Sequence, residues 1–238
     1  MMSKTFLVTG NGGQGKTTIA SNLAIALRAL GCDVLLVDAN MVTPKLCYHC
    51  QVFPQLTIQD VLLKRCTVRE ALYQGPSGLK ILFSNLGPSK TPHASTLLTE
   101  LQKIADIVIV DVPSRDFEWY HTGLPTILVS QPDFPSIMEA YKIRAHISTL
   151  HGLIVNRAHH DENELSTGNI QKLAHFNILG IVPEESAMRE ALKHGYPLME
   201  SHPDVEASII IKQIASQLVD QEYEAFNTHW LQKIGIRQ

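Results

Sequence analysis

An apolar, β-branched run, Phe6-Leu7-Val8-Thr9, reaches a helical pattern from Thr17 to Leu30 through the octapeptide Gly10-Asn11-Gly12-Gly13-Gln14-Gly15-Lys16-Thr17. That junction demands a strand, a tight turn and a helix in fixed order, the helix closed by Gly31. The octapeptide satisfies G-x-x-x-x-G-K-[ST], and strand before and helix after are the context that gives this pattern chemical meaning. Glycines permit the turn and let backbone N–H groups converge on phosphate oxygens. The helix starting near Lys16 aims the positive end of its dipole at the same anion. Lys16 is expected to neutralise β- and γ-phosphate charge, and the Thr17 hydroxyl to ligate Mg²⁺. With average residue usage the four fixed positions arise by accident in roughly 1% of chains this long, and the flanking elements make coincidence rarer.

The rest of the chain repeats the alternation. Val34 to Val37, Leu79 to Phe83, Ile107 to Val110, Thr126 to Val129, Leu153 to Val155 and Ile178 to Val182 read as strands. Ile58 to Arg65, Val68 to Tyr73, Leu97 to Ile104, Pro135 to Thr149 and Asp204 to Val219 read as helices. Strands without polar alternation are buried on both faces, so the expected class is α/β, a mostly parallel β-sheet flanked by helices on both faces. Ligands of open α/β sheets collect at the carboxyl ends of strands. Asp38 and Asp111 stand at two such ends and are expected to face the glycine-rich loop. Asp111 is the candidate that binds Mg²⁺ through its water, and Asp38 joins Lys16 as a catalytic candidate. The blander reading is that each carboxylate only caps its strand.

Length and charge restrict the function classes. The chain has 238 residues with a formal net charge of −3 and no long Lys/Arg run, which gives no reason to expect nucleic-acid binding. No repeat or linker splits it, so residues 1–221 are expected to form one nucleotide-binding domain, followed by a helical tail over 222–238. Four cysteines in a chain this long do not read as a disulfide framework. The N-terminal apolar run is too short for a signal peptide, and no stretch of about 18 apolar residues exists. A cytoplasmic protein is expected.

These residues resemble the MinD/ParA group of P-loop ATPases, especially its archaeal MinD-like members, over nearly the whole chain. The resemblance runs through Gly10 to Thr18, Val37-Asp38-Ala39-Asn40, Thr43-Pro44-Lys45-Leu46, Ile107 to Pro113, Val155-Asn156-Arg157 and Gly180-Ile181-Val182-Pro183-Glu184. It implies ATP with Mg²⁺, and a phosphate-binding set of Gly12, Gly13, Gln14, Gly15, Lys16, Thr17 and Thr18. Asn156 matches the adenine-contacting asparagine, and the segment at Pro183 matches the lining of the base pocket. It further implies a face-to-face homodimer around two ATP molecules and a switch acting on a protein partner in cell division or spatial positioning.

Three departures bear on catalysis. Asn11 replaces the lysine that reaches across the dimer, Asn40 replaces the second acid of the Asp-x-Asp motif, and Pro113-Ser114-Arg115 lacks a glycine after Asp-x-Pro. Losing one charged group typically costs 10²-fold or more in phosphoryl transfer. The expectation is an ATP-binding switch with weak ATPase activity; the alternative is a non-hydrolysing nucleotide-binding module for a protein partner.

Other features carry competing readings. Cys47-Tyr48-His49-Cys50 has metal-ligand spacing, which raises a metal-insertion ATPase as a third reading, but cysteines are commonly small buried hydrophobes. Phe117, Trp119, Tyr120 and His121 form either a partner surface or a lid packed on their own domain. In the tail, Tyr223, Phe226, Trp230, Leu231 and Ile234 share one helical stripe. Its sparse basic residues favour packing on protein, with a peripheral membrane surface as the alternative.

Overall fold

The computed structural model describes residues 3–41, 43–85, 94–159 and 161–221, so the expected tail over 222–238 lies outside the described residues. In chain order the elements are β1 (Lys4–Thr9), α1 (Lys16–Ala29), β2 (Val34–Asp38), α2 (Leu46–His49), α3 (Ile58–Leu62), β3 (Tyr73–Gln74) and β4 (Lys80–Leu82). They continue as α4 (Ala94–Leu101), β5 (Ile107–Asp111), α5 (Phe117–Tyr120), β6 (Thr126–Ser130), α6 (Phe134–Arg144) and β7 (Leu150–Ala158). The last are α7 (Thr167–Ala174), β8 (Ile178–Pro183), α8 (Ser186–Lys193), α9 (Leu198–Ser201) and α10 (Glu206–Leu218).

The strands lie in the order β3-β4-β2-β5-β1-β6-β7-β8. Every pair is parallel except β3 with β4. Successive side chains on a strand point to opposite faces, and both faces here are covered. Phe6 and Val8 join α1 and α10 residues such as Leu23, Leu27 and Ile211 in one core. Leu7, between them, joins Leu97, Leu101, Trp119 and Tyr120 in another. A third cluster packs Leu128, Leu153 and Val155 against Ile137 of α6 and Ile170 of α7. The expected parallel sheet flanked by helices on both faces is the observed one.

Helix α1 is buried over Thr17 to Leu27 because it lies between the sheet and α10, with Thr17, Thr18, Ser21 and Asn22 as its buried polar residues. It ends where Gly31 adopts a left-handed φ of 85°, and the Cys32 N–H closes back on the Leu27 carbonyl. Helix α6 starts on Asp133, whose Oδ1 accepts the Ser136 N–H at 2.9 Å, with Pro135 in the first turn.

The expected helix over Val68 to Tyr73 is not formed. Thr67 and Glu70 make the reciprocal bonds of a helix start. The chain then leaves after one turn to enter β3, where the Tyr73 ring packs edge-on against Phe83. Six residues are too few to offset helix nucleation without a packed face. Among the described residues, no helix is long and apolar enough to cross a membrane.

Candidate nucleotide site

The carboxyl ends of β1, β2 and β5, adjacent in the sheet, converge beside the N-terminus of α1. The loop between β1 and α1 is shaped by close approach as well as by turning. A Cβ on Gly10 would stand 2.1 Å from the Val129 carbonyl oxygen of β6, and Gly10 has a φ of 151°. At Gly15, which caps α1 with a φ of 90°, a Cβ would stand 2.3 Å from Asn156 Nδ2. Gly15→Ala is therefore expected to push Asn156 off the loop and weaken nucleotide binding about tenfold or more. Titration calorimetry on the folded variant checks this, and unchanged affinity would show that the loop tolerates the shift.

Helix α1 opens with no side-chain cap and no acidic residue in its first turn, so no carboxylate competes for the N–H groups around Lys16, Thr17 and Thr18. Gly12 and Gly13 form the exposed crown of the loop. Lys16 Nζ donates to the Asn11 carbonyl at 2.8 Å. Burial lowers the Lys16 pKa, the Asp111 charge opposes this, and the Lys45 charge adds to the lowering. Thr17 Oγ1 donates to Asp111 Oδ2 at 2.5 Å. The Thr18 carbonyl accepts from Ser21 Oγ and Asn22 Nδ2, and Asn22 Oδ1 accepts the Met199 N–H, which ties α9 to the first turns of α1.

Asp38 and Asp111 are direct partners across β2 and β5, and both are almost fully buried. Burial raises the pKa of each, and the nearby Asp111 charge raises Asp38 further. Their remaining partners differ. Asp111 faces Thr17, with Lys16 and Lys45 as nearby positive charges. Asp38 Oδ1 accepts the Asn40 N–H at 2.9 Å, and its Oδ2 accepts the Leu46 N–H at 3.3 Å. Asn40 turns its own amide back on Thr43, accepting the Thr43 N–H at 2.9 Å and donating to Thr43 Oγ1 at 3.1 Å.

Gln14 is more committed than its place in the motif indicates. Its Nε2 donates to Ser136 Oγ, its Oε1 accepts the Gln131 N–H, and its carbonyl accepts Asn156 Nδ2 at 2.8 Å. The loop is thereby fastened to β6, α6 and β7. Asn156 sits where the pairing of β7 with β8 slips and Arg157 takes a left-handed φ of 60°. Asn156 and Pro183 line one small cavity with Gly15, Thr18, Met188 and Arg189. Arg189 and Arg157 both pair with Glu184 beside it.

The cluster of aromatics after Asp111 divides. Trp119 and Tyr120 are core residues, and Tyr120 is hydrogen-bonded to Thr9 Oγ1 and the Pro113 carbonyl. Phe117 and His121 are exposed. Cys47 and Cys50 pack against the core under α2, and burial pushes both thiol pKa values up, that of Cys50 to about 12. Thiols so raised are poorly disposed to lose the proton that metal ligation requires. Sequence reasoning named Gln14 and Tyr120 but assigned neither the anchoring bonds of the Gln14 side chain nor those of the Tyr120 hydroxyl, and it gave Lys45 no role. Each acts through residues distant in the chain, and only the Thr43-Pro44-Lys45-Leu46 resemblance hinted at the last.

The family model for the CobQ/CobB/MinD/ParA nucleotide binding domain matches residues 5–198. An ATP-binding protein of Methanocaldococcus jannaschii is 31% identical over 234 residues, covering 92% of this chain and 88% of that protein. The antiactivator FleN of Pseudomonas aeruginosa is 25% identical over 233 residues, covering 88% and 83%. Among solved structures, the septum site-determining protein MinD of Pyrococcus horikoshii, complexed with Mg-ADP, superposes with a TM-score of 0.82 at 24% identity, over 92% of this chain and 96% of that one. This chain belongs to the CobQ/CobB/MinD/ParA family of nucleotide-binding domains.

Proposed function

We propose that the protein is an ATP-binding switch of the MinD/ParA type that turns ATP over slowly, using Mg²⁺. The observation that carries the reading is the convergence of Lys16, Thr17, Asp38 and Asp111 at one end of the sheet. The residues fit the ligand: the uncapped start of α1 suits an anion, and the buried hydroxyl–carboxylate pair of Thr17 and Asp111 offers hard oxygen donors to Mg²⁺. When bound, the cation supplies two positive charges beside a carboxylate pair that burial disfavours in ionised form.

In this reading the backbone of Gly12, Gly13, Gln14 and Gly15 holds phosphate together with Lys16, Thr17 and Thr18. Asn156 and the Pro183 segment border the base, while Asn156 also braces the loop through Gln14. Asp38 is the carboxylate placed to orient water. Homodimerisation, a cytoplasmic site of action and a protein partner in division or spatial positioning belong to the same proposal. The name of the septum site-determining MinD of similar fold bears on the last of these alone.

Asn11 and Asn40 favour a second reading, a nucleotide-binding module without turnover, because neither restores the charge of the group it replaces. Binding and phosphate release measured on one sample, with light scattering for oligomeric state, separate the two. The expected result is Mg²⁺-dependent ATP binding, ATP-dependent dimers and turnover below about 1 per second, under the median for enzymes. Binding by a monomer that releases no phosphate would leave the module. No binding to ATP or GTP would end both readings.

A further inference from the structure

Two carbonyl groups of the glycine-rich loop are taken up by side chains from other strands. The Gln14 carbonyl accepts Asn156 Nδ2 of β7 at 2.8 Å, and the Gly13 carbonyl accepts Nε2 of Gln131, the residue after β6, at 3.5 Å. In a trans peptide the C=O and the following N–H point opposite ways, and no cis peptide bond occurs among the described residues. The Gln14 and Gly15 N–H groups are therefore turned away from Gln131 and Asn156. Among the described residues neither finds an acceptor within the protein. Gly13 and Gly15, with φ of 81° and 90°, supply the left-handed turns that aim successive N–H groups at one anion.

The Gln14 side chain holds this stretch in place. Gln14 is only 7% exposed and commits both ends of its amide to the junction of β6 and α6. Its Oε1 accepts the Gln131 N–H at 2.6 Å, and its Nε2 donates to Ser136 Oγ at 3.1 Å. Ser136 is set in turn by the helix start, its N–H donating to Asp133 Oδ1 at 2.9 Å. The clamp is reciprocal, since Gln131 gives its N–H to the Gln14 side chain and its own amide to the Gly13 carbonyl. An apolar side chain of the same size would fill the space, but it would leave the Gln131 N–H unpaired and the loop untied from α6.

We propose that the Gln14 side chain is a positioning group for nucleotide binding: anchored on Gln131 and Ser136, it holds the loop with the Gln14 and Gly15 N–H groups facing the phosphates before a nucleotide arrives. Ser136, which lies outside the phosphate-binding set, contributes to nucleotide affinity through Gln14. This rests on the nucleotide reading of the site and adds a specific claim to it. The apparent affinity of a site falls with the fraction of molecules in the binding-competent form. Loosening the clamp therefore slows association and leaves dissociation of the bound nucleotide nearly unchanged.

The test measures Mg-ADP affinity by calorimetry, and association and dissociation of a fluorescent ADP analogue by stopped flow. It uses the full chain and its Gln14→Leu, Ser136→Ala and doubly substituted variants. Gln14→Leu is expected to weaken Mg-ADP about tenfold and Ser136→Ala about threefold, the effects of two and of one neutral hydrogen bond. Both losses should lie in the association rate, with dissociation changed by less than about twofold. The double variant should bind no more weakly than Gln14→Leu alone, because Ser136 acts only through Gln14. Ser136→Ala keeps the Asp133 cap, which uses a backbone N–H, so its unfolding temperature should move by no more than a few degrees. Additive losses, losses confined to dissociation, or unchanged affinity in both single variants would overturn the assignment. Should Gln14→Leu fail to fold, Ser136→Ala decides alone: slower association supports the assignment and unaltered association defeats it. If the unsubstituted, folded protein binds neither ADP nor ATP, both the assignment and the reading beneath it fail.

Discussion

Replacing Lys16 by alanine is expected to weaken Mg-ATP binding by about 100-fold or more while leaving the empty fold intact. The ammonium is half-buried and is hydrogen-bonded within the loop to the Asn11 carbonyl. A charge-assisted bond from such a site to phosphate contributes about 3 kcal/mol, which corresponds to about two decades in Kd. The empty protein should lose little, because the substitution also removes a cation that burial and the neighbouring Lys45 charge already disfavour. Thermal unfolding without nucleotide is expected to move by no more than a few degrees, and calorimetric titration should show the loss of binding. Affinity retained within threefold would mean that the phosphates lie elsewhere. Unfolding of the variant would mean that Lys16 is structural.

The parts of this site legible in the sequence are those encoded locally. Gly10 to Thr17 is a contiguous pattern, and Asp38 and Asp111 each end an apolar run whose burial on both faces dictates a parallel sheet. The strands were readable for the same reason, because runs as short and β-branched as Val34 to Val37 and Ile107 to Val110 suit a strand buried on both faces better than a helix. The illegible parts depend on contacts between distant segments. Asn156 looks like a strand-end amide until Gln14 is placed 2.8 Å from it, and Gln14 looks like a motif filler until Ser136 and Gln131 close on its side chain. The short helices α2, α5 and α9 carry only four residues each, less than the window in which helical periodicity can be seen. Val68 to Tyr73 shows the opposite error: a correct start signal at Thr67 and Glu70, defeated by the pairing of Tyr73 with β4.

Asp38→Asn is expected to stabilise the empty protein at alkaline pH and at the same time to reduce ATP turnover about 100-fold. The stability effect follows from linkage. Burial, with the adjacent Asp111 charge second, raises the folded pKa of Asp38 above its unfolded value of about 3.9. The folded empty protein therefore holds a proton that the unfolded chain has released. The associated stability is fully present below the unfolded pKa and is lost as pH rises through the folded one. Unfolding of the unsubstituted protein should accordingly occur at lower temperature at pH 8.5 than at pH 5, and Mg-ATP should narrow that difference. Asparagine removes the titrating charge and can still accept the shorter Asn40 bond, although the longer Leu46 bond suffers. The net gain at pH 8.5 is on the order of 1–2 kcal/mol, or a few degrees in Tm for a chain of this size. Turnover falls in the same variant because an amide cannot accept a proton from water, a role that contributes at least about 10²-fold where a carboxylate performs it. Heat denaturation at the two pH values, with phosphate release measured beside it, tests both halves. A variant that gains stability and keeps turnover would make Asp38 only the clamp of the β2–α2 loop. A variant that loses both would show that the Leu46 bond matters more to the fold than the buried charge costs it.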